Sequence, residues 1–414
     1  MTVRSRSAAQ SSLRRLFTKV WVRASVFVLV AVVFALAAGV IGAILPFRVV
    51  INLGQNSVGS LLQIIATAML TATTFSVTAM VTAYSSATTT ATPRSTQLLI
   101  ADPTSQKSLS VFVGAFVFSM VGIIALSTGY YNDQGRTILF VGTLLVIAVV
   151  VVTLMRWIAH LADFGRMADV IDRVERAAAD SLLAYASDPA LGAQRLTDIP
   201  AGSHQVWAED VGFVVHVDVA ALNRVATASD VKIYVDSTAG RSAGPLNPLC
   251  HVVGRLPASD AVKVRSAFRI AAHRDYEQDP RLGVIALAEI GSRALSPATN
   301  DPGTAIEVIS ALQRVFVRAL TVTPHPEATF DRVWIKPPEV ETLVTDAFRP
   351  IARDGASLIE VQTRLQKALA SIAAAAPDHH ATLEAAARDA MRRARKSLDK
   401  ADYHDLRATV RGLW

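Results

Sequence analysis

The sequence predicts a membrane α-helical protein with four transmembrane helices, followed by a cytoplasmic α+β domain that is mostly helical with a small β-rich subdomain. Three observations predict this fold class: four long apolar runs without charges, basic residues that flank those runs, and β-prone segments followed by helical patterns. Hydrophobic residues make up 51% of the 414 residues and charged residues only 18%. That composition is more apolar than is usual for a soluble protein.

The net charge is distributed unevenly along the chain. Residues 1–158 contain 11 Lys and Arg against 2 Asp and Glu, whereas residues 159–414 contain 30 Lys and Arg against 32 Asp and Glu. Positive charge beside apolar runs is typical of membrane orientation, since a nucleic-acid surface would place it on a folded face. We therefore expect the lipid bilayer as a partner and no nucleic acid. The single cysteine, Cys250, excludes an intrachain disulfide.

Four segments are long enough to cross a bilayer, because a transmembrane helix needs roughly 20 apolar residues. They lie at about residues 24–45, 58–84, 109–130 and 137–155, within a predicted transmembrane domain of residues 1–158. The first segment has a basic start like that of a signal peptide. Its apolar run continues to Leu45, however, so we expect a span that is retained.

Basic residues at the ends of the spans indicate their orientation. Before the first span lie Arg4, Arg6, Arg14, Arg15, Lys19 and Arg23. The first connector carries Arg48, the second carries Arg94 and Lys107, and the third carries Arg136. After the fourth span lie Arg156, Arg166, Arg173 and Arg176. The positive-inside rule then places both termini and the domain after the spans in the cytoplasm. We expect a multi-pass protein of the bacterial inner membrane.

The second predicted span carries hydroxyl side chains at helical spacing. Steps of three or four residues place on one helix face Thr67, Thr71, Thr74, Thr78, Thr82, Ser85 and Thr89. Two interpretations are open. The face is a packing surface, since small hydroxyl residues commonly let membrane helices pack closely, or it lines a pore in an oligomer. None of the four predicted spans has a charged residue or a His near its centre. Ion-coupled pumps usually need such a group, so its absence argues against a pump.

The rest of the chain divides into three predicted parts. Residues 159–200 form a juxtamembrane helix and linker, since apolar residues recur at helical spacing up to a Pro break. Residues 201–256 form a small β-rich subdomain of short β-prone runs separated by Gly and Pro. Residues 257–414 form a helical domain, with helices expected at Ser259–His273, Leu282–Ala294, Pro302–Leu320, Pro338–Ala352, Ser357–Ala375, His380–Lys400 and Asp402–Arg411.

The densest polar cluster lies between residues 273 and 304. Its candidate functional or structural side chains are Arg274, Gln278, Asp279, Glu289, Arg293, Ser296, Asn300, Asp301 and Thr304. Asn300 or Asp301 can cap the helix that follows, and Glu289 can pair with Arg293 at i,i+4. If this loop joins two helices, five side chains should lie within reach of one another, namely Gln278, Asp279, Arg293, Asn300 and Asp301.

Part of this cluster matches a known pattern. The stretch Arg274–Ala305 contains "QD" and then "AEIGSRALSPATNDPGTA". It resembles the hallmark E-I-A-x-R-A-L-S-P-x-x-N-D-P-x-T-A of a bacterial membrane-protein family, domain-of-unknown-function family 2254. Similar features of the family are found at Phe75-Ser76-x-Thr78, at Pro93-Arg94, and at Gln106, Leu109, Phe112 and Gly114. Gly303 and Asp275 depart from the family pattern.

The resemblance covers nearly the whole chain. It implies four amino-terminal spans and a cytoplasmic domain with a small sandwich-like β subdomain, and it implies no particular biochemical activity.

Two classes of function remain open. The first is an oligomeric channel-like or membrane-organising protein, a homo-oligomer with a cytoplasmic regulatory domain. The alternative is a membrane-tethered enzyme or ligand sensor that uses the polar cluster around Asn300 and Asp301. The sequence has no HExxH, GxSxG, P-loop or dinucleotide pattern. We therefore favour a protein that is not an enzyme, and no catalytic residue, metal ligand or cofactor is indicated.

Overall fold

The computed structural model describes residues 20–44, 57–100, 102–324 and 327–414. The chain divides into two compact units. The first extends to Thr89 and resumes over Thr96–Asp169, and the second consists of Thr90–Ser95 and Val170–Trp414. Several residues of the predicted topology lie outside the described residues, namely Arg4, Arg6, Arg14, Arg15, Lys19, Leu45 and Arg48.

In the part of the chain that the structure describes, the first unit is helical, with four long apolar helices and one short helix, Pro93–Ile100, that begins in the second unit. In chain order the helices are α1 Val20–Ile44, α2 Ser57–Thr90, α3 Pro93–Ile100, α4 Pro103–Ser127 and α5 Asp133–Asp163. Three helical stretches among the described residues are long and apolar enough to cross a membrane, namely Ser57–Thr89, Pro103–Ser127 and Asp133–Asp163. The first and last of these contain the second and fourth predicted spans, and Pro103–Ser127 contains the third span except its last three residues, 128–130.

The first predicted span, at about residues 24–45, overlaps a shorter apolar helical stretch, Ser25–Ile41. A fourth span therefore remains a prediction.

Polar caps extend two of these helices beyond their apolar runs. The Asp102 carboxylate accepts from the backbone N–H of Ser105 at 2.7 Å and starts α4. The Asn132 side chain accepts from the backbone N–H of Gly135 at 2.7 Å and starts α5. Because such caps satisfy amides that a helix start leaves free, both helices begin several residues before the predicted spans. Between them, the Tyr131 hydroxyl donates to the Ala35 carbonyl of α1 at 2.6 Å.

Two small sheets lie in the second unit. Their strands are β1 Gln194–Arg195, β2 His204–Val206, β3 Gly212–Val217, β4 Lys232–Val235, β5 Ser242–Ala243, β6 Cys250–Val253, β7 Phe268–Ala271 and β8 Val333–Ile335. One sheet has the order β1-β8-β4-β6-β2, with β8 parallel to both of its neighbours, and the other has the order β5-β3-β7. Apolar residues of both sheets share one core with α7, Val219–Ala228.

The strands extend beyond the predicted β-rich segment at residues 201–256. The helix expected at Ser259–His273 is wrong in its second half, because α8 covers Ala258–Ser266 and is followed by β7. Residues 268–271 pair with β3 across the chain, which is a non-local interaction that a local helical pattern does not reveal. The division of the chain at residues 158, 200 and 256 stays a prediction.

Helices dominate the remainder of the second unit. They are α6 Met167–Ser187, which starts in the first unit, α9 Pro280–Ala294, α10 Pro302–Leu320, α11 Val340–Asp354, α12 Ile359–Ala375, α13 His380–Ser397 and α14 Lys400–Arg411. The fully buried rings of Phe316 and Phe348 meet at a centroid distance of 5.5 Å and join α10 to α11. The described chain is thus mostly helical with a smaller content of β-strand.

Candidate functional site

The helix path breaks between α2 and α3, at Ala91 and Thr92, and the residues around this point, Thr90–Ser95, are here called the break segment. Pro93 has no backbone N–H and disfavours helical backbone at the residue before it. The backbone N–H of Ser95, which would bond to the Ala91 carbonyl in a continuous helix, donates instead to the Thr92 carbonyl at 3.1 Å. The Ser95 hydroxyl donates to the same carbonyl at 2.7 Å. The Ala91 carbonyl therefore needs another donor, since Ala91 itself is fully buried.

Arg293 supplies that donor. It lies in the last turn of α9, and its Nη1 donates to the Ala91 carbonyl at 3.1 Å. One turn earlier on α9, Glu289 forms an ion pair with Arg94. Their i,i+4 spacing allows Glu289 and Arg293 to pair with each other. Since residues four apart project from the same side of a helix, both side chains instead reach the break segment.

Tyr276 adds a third contact to the break segment. Its hydroxyl donates to the Arg94 carbonyl at 3.2 Å. Burial raises the pKa of Tyr276, and the nearby negative charge of Glu289 raises it further, so the phenol stays protonated and keeps its donor. Arg94 and Tyr276 were absent from the predicted site. The sequence singled out Arg94 only as a basic residue between two predicted spans and, with Pro93, as part of the family resemblance.

A separate polar group lies at the start of α9 and is centred on Asp279. The Asp279 side chain is fully buried, and its carboxylate accepts from the backbone N–H groups of Arg281 and Leu282 at 3.0 and 3.2 Å. Arg274 donates to the same carboxylate through Nε at 2.7 Å. The side chain of Gln278, the residue before Asp279, accepts from the backbone N–H of Val217 at 2.8 Å. Asp279 is thus both a helix cap and half of a buried ion pair.

The predicted cluster is therefore divided between the two ends of α9. At a rise of about 1.5 Å per residue, Asp279 and Arg293 are separated by about 21 Å along the helix. We expected Gln278 and Asp279 to lie within reach of Arg293, Asn300 and Asp301. That expectation is wrong, because the first two residues lie at the start of α9 and the other three lie at or beyond its end.

The loop between α9 and α10 carries the remaining predicted residues. Asp301 caps α10, with its carboxylate accepting from the Thr304 backbone N–H at 3.0 Å and from the Thr304 hydroxyl at 2.6 Å. These hydrogen bonds lower the pKa of Asp301. The Ser296 hydroxyl donates to the Arg293 carbonyl at 2.7 Å. Asn300 is exposed and has a φ of 48°, a left-handed conformation that is uncommon outside glycine.

The hydroxyl face of α2 consists of Thr67, Thr71, Thr74, Thr78, Thr82, Ser85 and Thr89, and all seven side chains are exposed. The hydroxyls of the first five donate to the carbonyl four residues earlier, at 3.0 to 3.1 Å. Part of this face lines an open concavity of about 920 Å³ that also includes Gln63 and Phe75. The face is therefore directed away from the packing of its own unit.

Charged side chains of the described residues do not converge on a metal site. No group of three or more His, Cys, Asp or Glu side chains in residues 20–44, 57–100, 102–324 and 327–414 is placed to hold a metal ion. Within the described structure, Asp279, Glu289, Arg293 and Asp301 are engaged in helix caps, an ion pair and a bond to a backbone carbonyl.

The apolar helices and the motif that follows them define a helical membrane protein with an attached α/β unit. The chain belongs to the family described as predicted membrane protein (DUF2254), whose model matches residues 18–371. The resemblance seen in the motif around Arg293 is thereby confirmed.

Related bacterial proteins carry no functional description. Proteins of Mycobacterium bovis and Mycobacterium tuberculosis, each named as an uncharacterized protein, are 26% identical to this chain over 297 residues. The alignments cover 68% of this chain and 57% of each relative, so the chain spans somewhat more than half of their length. No solved structure shows a significant match to the chain.

Proposed function

We propose that this chain is a multi-pass protein of the bacterial inner membrane, with four spans and both termini in the cytoplasm. In this proposal it assembles with copies of itself through the hydroxyl face of α2 and forms a channel-like path along that face. The observation that carries the proposal is the exposure of all seven hydroxyl side chains on one membrane-length helix.

The length and chemistry of the hydroxyl face support a path through the membrane. From Thr67 to Thr89 it extends about 33 Å, which is close to the thickness of the hydrocarbon core. The hydroxyl protons of Thr67, Thr71, Thr74, Thr78 and Thr82 bond to the helix itself, so their outward lone pairs are acceptors. A ring of such faces in an oligomer would offer acceptor oxygens to water or to cations.

The break segment supports a regulatory role for α9. It follows α2 directly in the chain, and Tyr276, Glu289 and Arg293 each bond to it. A rearrangement of α9 would therefore be passed to the last turn of α2 through covalent bonds. The helical part of the second unit would then act as a gate, with the motif around Arg293 as its connection to the path.

Ion flux through reconstituted liposomes tests the path. We expect wild-type protein to conduct and the Thr74→Leu and Thr78→Leu double variant to lose most of the flux, because leucine replaces acceptor oxygens with apolar bulk. Thr153→Leu is the matched control, since the Thr153 hydroxyl makes the same bond to the carbonyl four residues earlier but lies on α5. No flux in well-incorporated wild type, or equal loss in the control, would contradict the channel-like path.

Cysteine cross-linking tests the assembly separately. Cys250 is fully buried, so a cysteine introduced by Thr74→Cys is the reactive one. We expect oxidation in native membranes to give a covalent dimer with Thr74→Cys and much less with Thr153→Cys. A monomer with both variants would contradict assembly through α2, whatever the flux result.

One observation favours the alternative, a ligand sensor or membrane-tethered enzyme at the loop around Asn300 and Asp301. The loop is exposed over residues 297–301, and Asn300 has a left-handed backbone, a conformation that is enriched at functional sites. An Asn300→Gly variant would keep this backbone while removing the side chain. Loss of a signalling or hydrolytic activity in that variant, with flux unchanged, would favour the alternative.

A further inference from the structure

A groove of about 550 Å³ lies between α11, α12 and α13 in the second unit. Its volume is within the range of small-molecule sites. Phe348, Leu365 and Leu369 line it and are almost fully buried. From α13 the groove is lined by Ala385 and Ala386. Phe348, Leu365 and Leu369 therefore form a buried floor, and the apolar surface that a ligand can contact includes the methyl groups of Ala385 and Ala386.

Three arginines also line the groove. Arg392 and Arg393 of α13 both pair with Asp389, the latter through Nε at 2.9 Å. Two guanidinium groups share a single carboxylate there, so several of their N–H donors are left over. Arg349 of α11 is exposed and makes no ion pair or side-chain hydrogen bond within the described part of the chain. One unneutralised arginine and two half-neutralised arginines therefore face the same groove.

The negative charge in the groove does not offset these arginines. Besides Asp389, the lining carboxylate is Glu341, which lies in the first turn of α11. Glu341 precedes Arg349 by eight residues, which corresponds to about 12 Å along the helix. The groove thus combines a net positive charge with an apolar lining.

We infer that this groove binds a small amphipathic organophosphate. The planar forks of arginine match phosphate oxygens in pairs, and the methyl groups of Ala385 and Ala386 would contact the organic body. The family match ends at residue 371, so α13, which supplies two of the three arginines, lies beyond it. The same chemistry is found in a soluble phosphate monoester and in a phosphatidic acid headgroup, and the test distinguishes these two sources.

Calorimetric titration of the full chain in phosphatidylcholine nanodiscs tests the site. The probes are octyl phosphate, inorganic phosphate and octanol. We expect saturable binding of octyl phosphate at one per chain and weaker binding of the other two. Arg349→Gln should weaken octyl phosphate about tenfold, because a charge-assisted contact is lost. Arg395→Gln is the matched control, since Arg395 is exposed on α13 but does not line the groove.

A second variant tests the apolar lining. Ala386→Trp should block octyl phosphate without changing any charge. If this variant does not fold, the comparison of Arg349→Gln with Arg395→Gln is sufficient, because neither arginine makes a side-chain hydrogen bond or ion pair in the described structure. Competition with phosphatidic acid in the nanodisc identifies the source: displacement of octyl phosphate supports a lipid headgroup, and no displacement supports a soluble ester.

Three results would overturn the inference. They are the absence of saturable octyl phosphate binding by the wild type, inorganic phosphate binding as tight as that of octyl phosphate, and equal loss in Arg349→Gln and Arg395→Gln. The last result would mean that general surface charge, and not the groove, attracts the probe. None of these results depends on flux or on assembly through α2.

Discussion

The guanidinium of Arg293 donates a hydrogen bond to the backbone carbonyl of Ala91, 3.1 Å away and 202 positions earlier in the chain. In a continuous helix that carbonyl would accept from the backbone N–H of Ser95, which here donates to the Thr92 carbonyl. The arginine of the family motif therefore completes the hydrogen bonding of a helix break, which gives a physical reason for a long, permanently charged donor at this position.

Replacing Arg293 should loosen the break segment. We expect Arg293→Gln to lower the stability of the second unit by about 1 kcal/mol, the usual net value of a hydrogen bond. Amide hydrogen exchange of a peptide that covers residues 88–100 should become faster. Arg318→Gln is the control, since Arg318 is exposed on α10 and makes no side-chain hydrogen bond or ion pair in the described structure. Unchanged exchange in Arg293→Gln would show that the bond does not hold the segment.

The two aspartate caps offer a second comparison. Asp279→Ala removes a fully buried cap and leaves Arg274 without its partner, so we expect a loss of about 3–5 kcal/mol. Asp301→Ala removes an exposed cap, so we expect about 1 kcal/mol. Chemical denaturation followed by circular dichroism measures both values. Equal losses would mean that the buried ion pair adds nothing to the cap.

Gly240 and Gly202 form a matched pair of glycines with positive φ, at 91° and 78°. A Cβ at Gly240 would lie 2.5 Å from the Asp279 carboxylate, whereas a Cβ at Gly202 would have no atom within 4 Å. We expect Gly202→Ala to lose only the conformational term, about 1–2 kcal/mol. Gly240→Ala should lose that amount and a further 1–3 kcal/mol for the clash. Similar melting temperatures of the two variants would disprove the contact with Asp279.

Asp301 should give the protein a measurable acid dependence. Its pKa is lowered mainly by the hydrogen bond from the Thr304 hydroxyl, so the folded state binds this proton less readily than the unfolded chain does. The resulting stability is complete above the unfolded pKa of about 4 and is lost as the pH falls through the lower folded pKa. The stability difference between wild type and Asp301→Asn should therefore shrink below about pH 4.

Thr304→Val provides the control for this acid dependence. It keeps the carboxylate but removes the hydroxyl donor, so the pKa of Asp301 should move toward its ordinary value. Urea denaturation at several pH values measures the change. If the stability of Thr304→Val depends on pH in the same way as that of the wild type, the acid dependence comes from carboxylates other than Asp301.

Local properties of the chain predicted its helices well. Length, apolar content and capping act over neighbouring residues, so the helical stretches Ser57–Thr89, Pro103–Ser127 and Asp133–Asp163 match three of the predicted spans to within a few residues. The motif around Arg293 identified the family for the same reason. Strands were harder to predict, because β7 and β8 are short and depend on partners elsewhere in the chain.

The composition of the polar site could not be predicted from spacing. Sequence proximity suggested that Asp279 and Arg293 converge, whereas α9 separates them. The i,i+4 spacing also allowed Glu289 to pair with Arg293, whereas each of them bonds to the break segment. Arg94 and Tyr276 belong to this site through contacts across 195 and 182 positions of the chain. Only the three-dimensional path of the chain brings such residues together.

The hydroxyls of Thr67, Thr71, Thr74, Thr78 and Thr82 are each bonded to their own helix. A surface of this kind has no unmet donor that ties it to one neighbour. It can exchange an acyl chain for another polypeptide, or rotate against one, without breaking those bonds. In the proposed assembly, shape and the lateral pressure of the bilayer would select the neighbour of this face, and membrane thickness or tension would control how the copies associate.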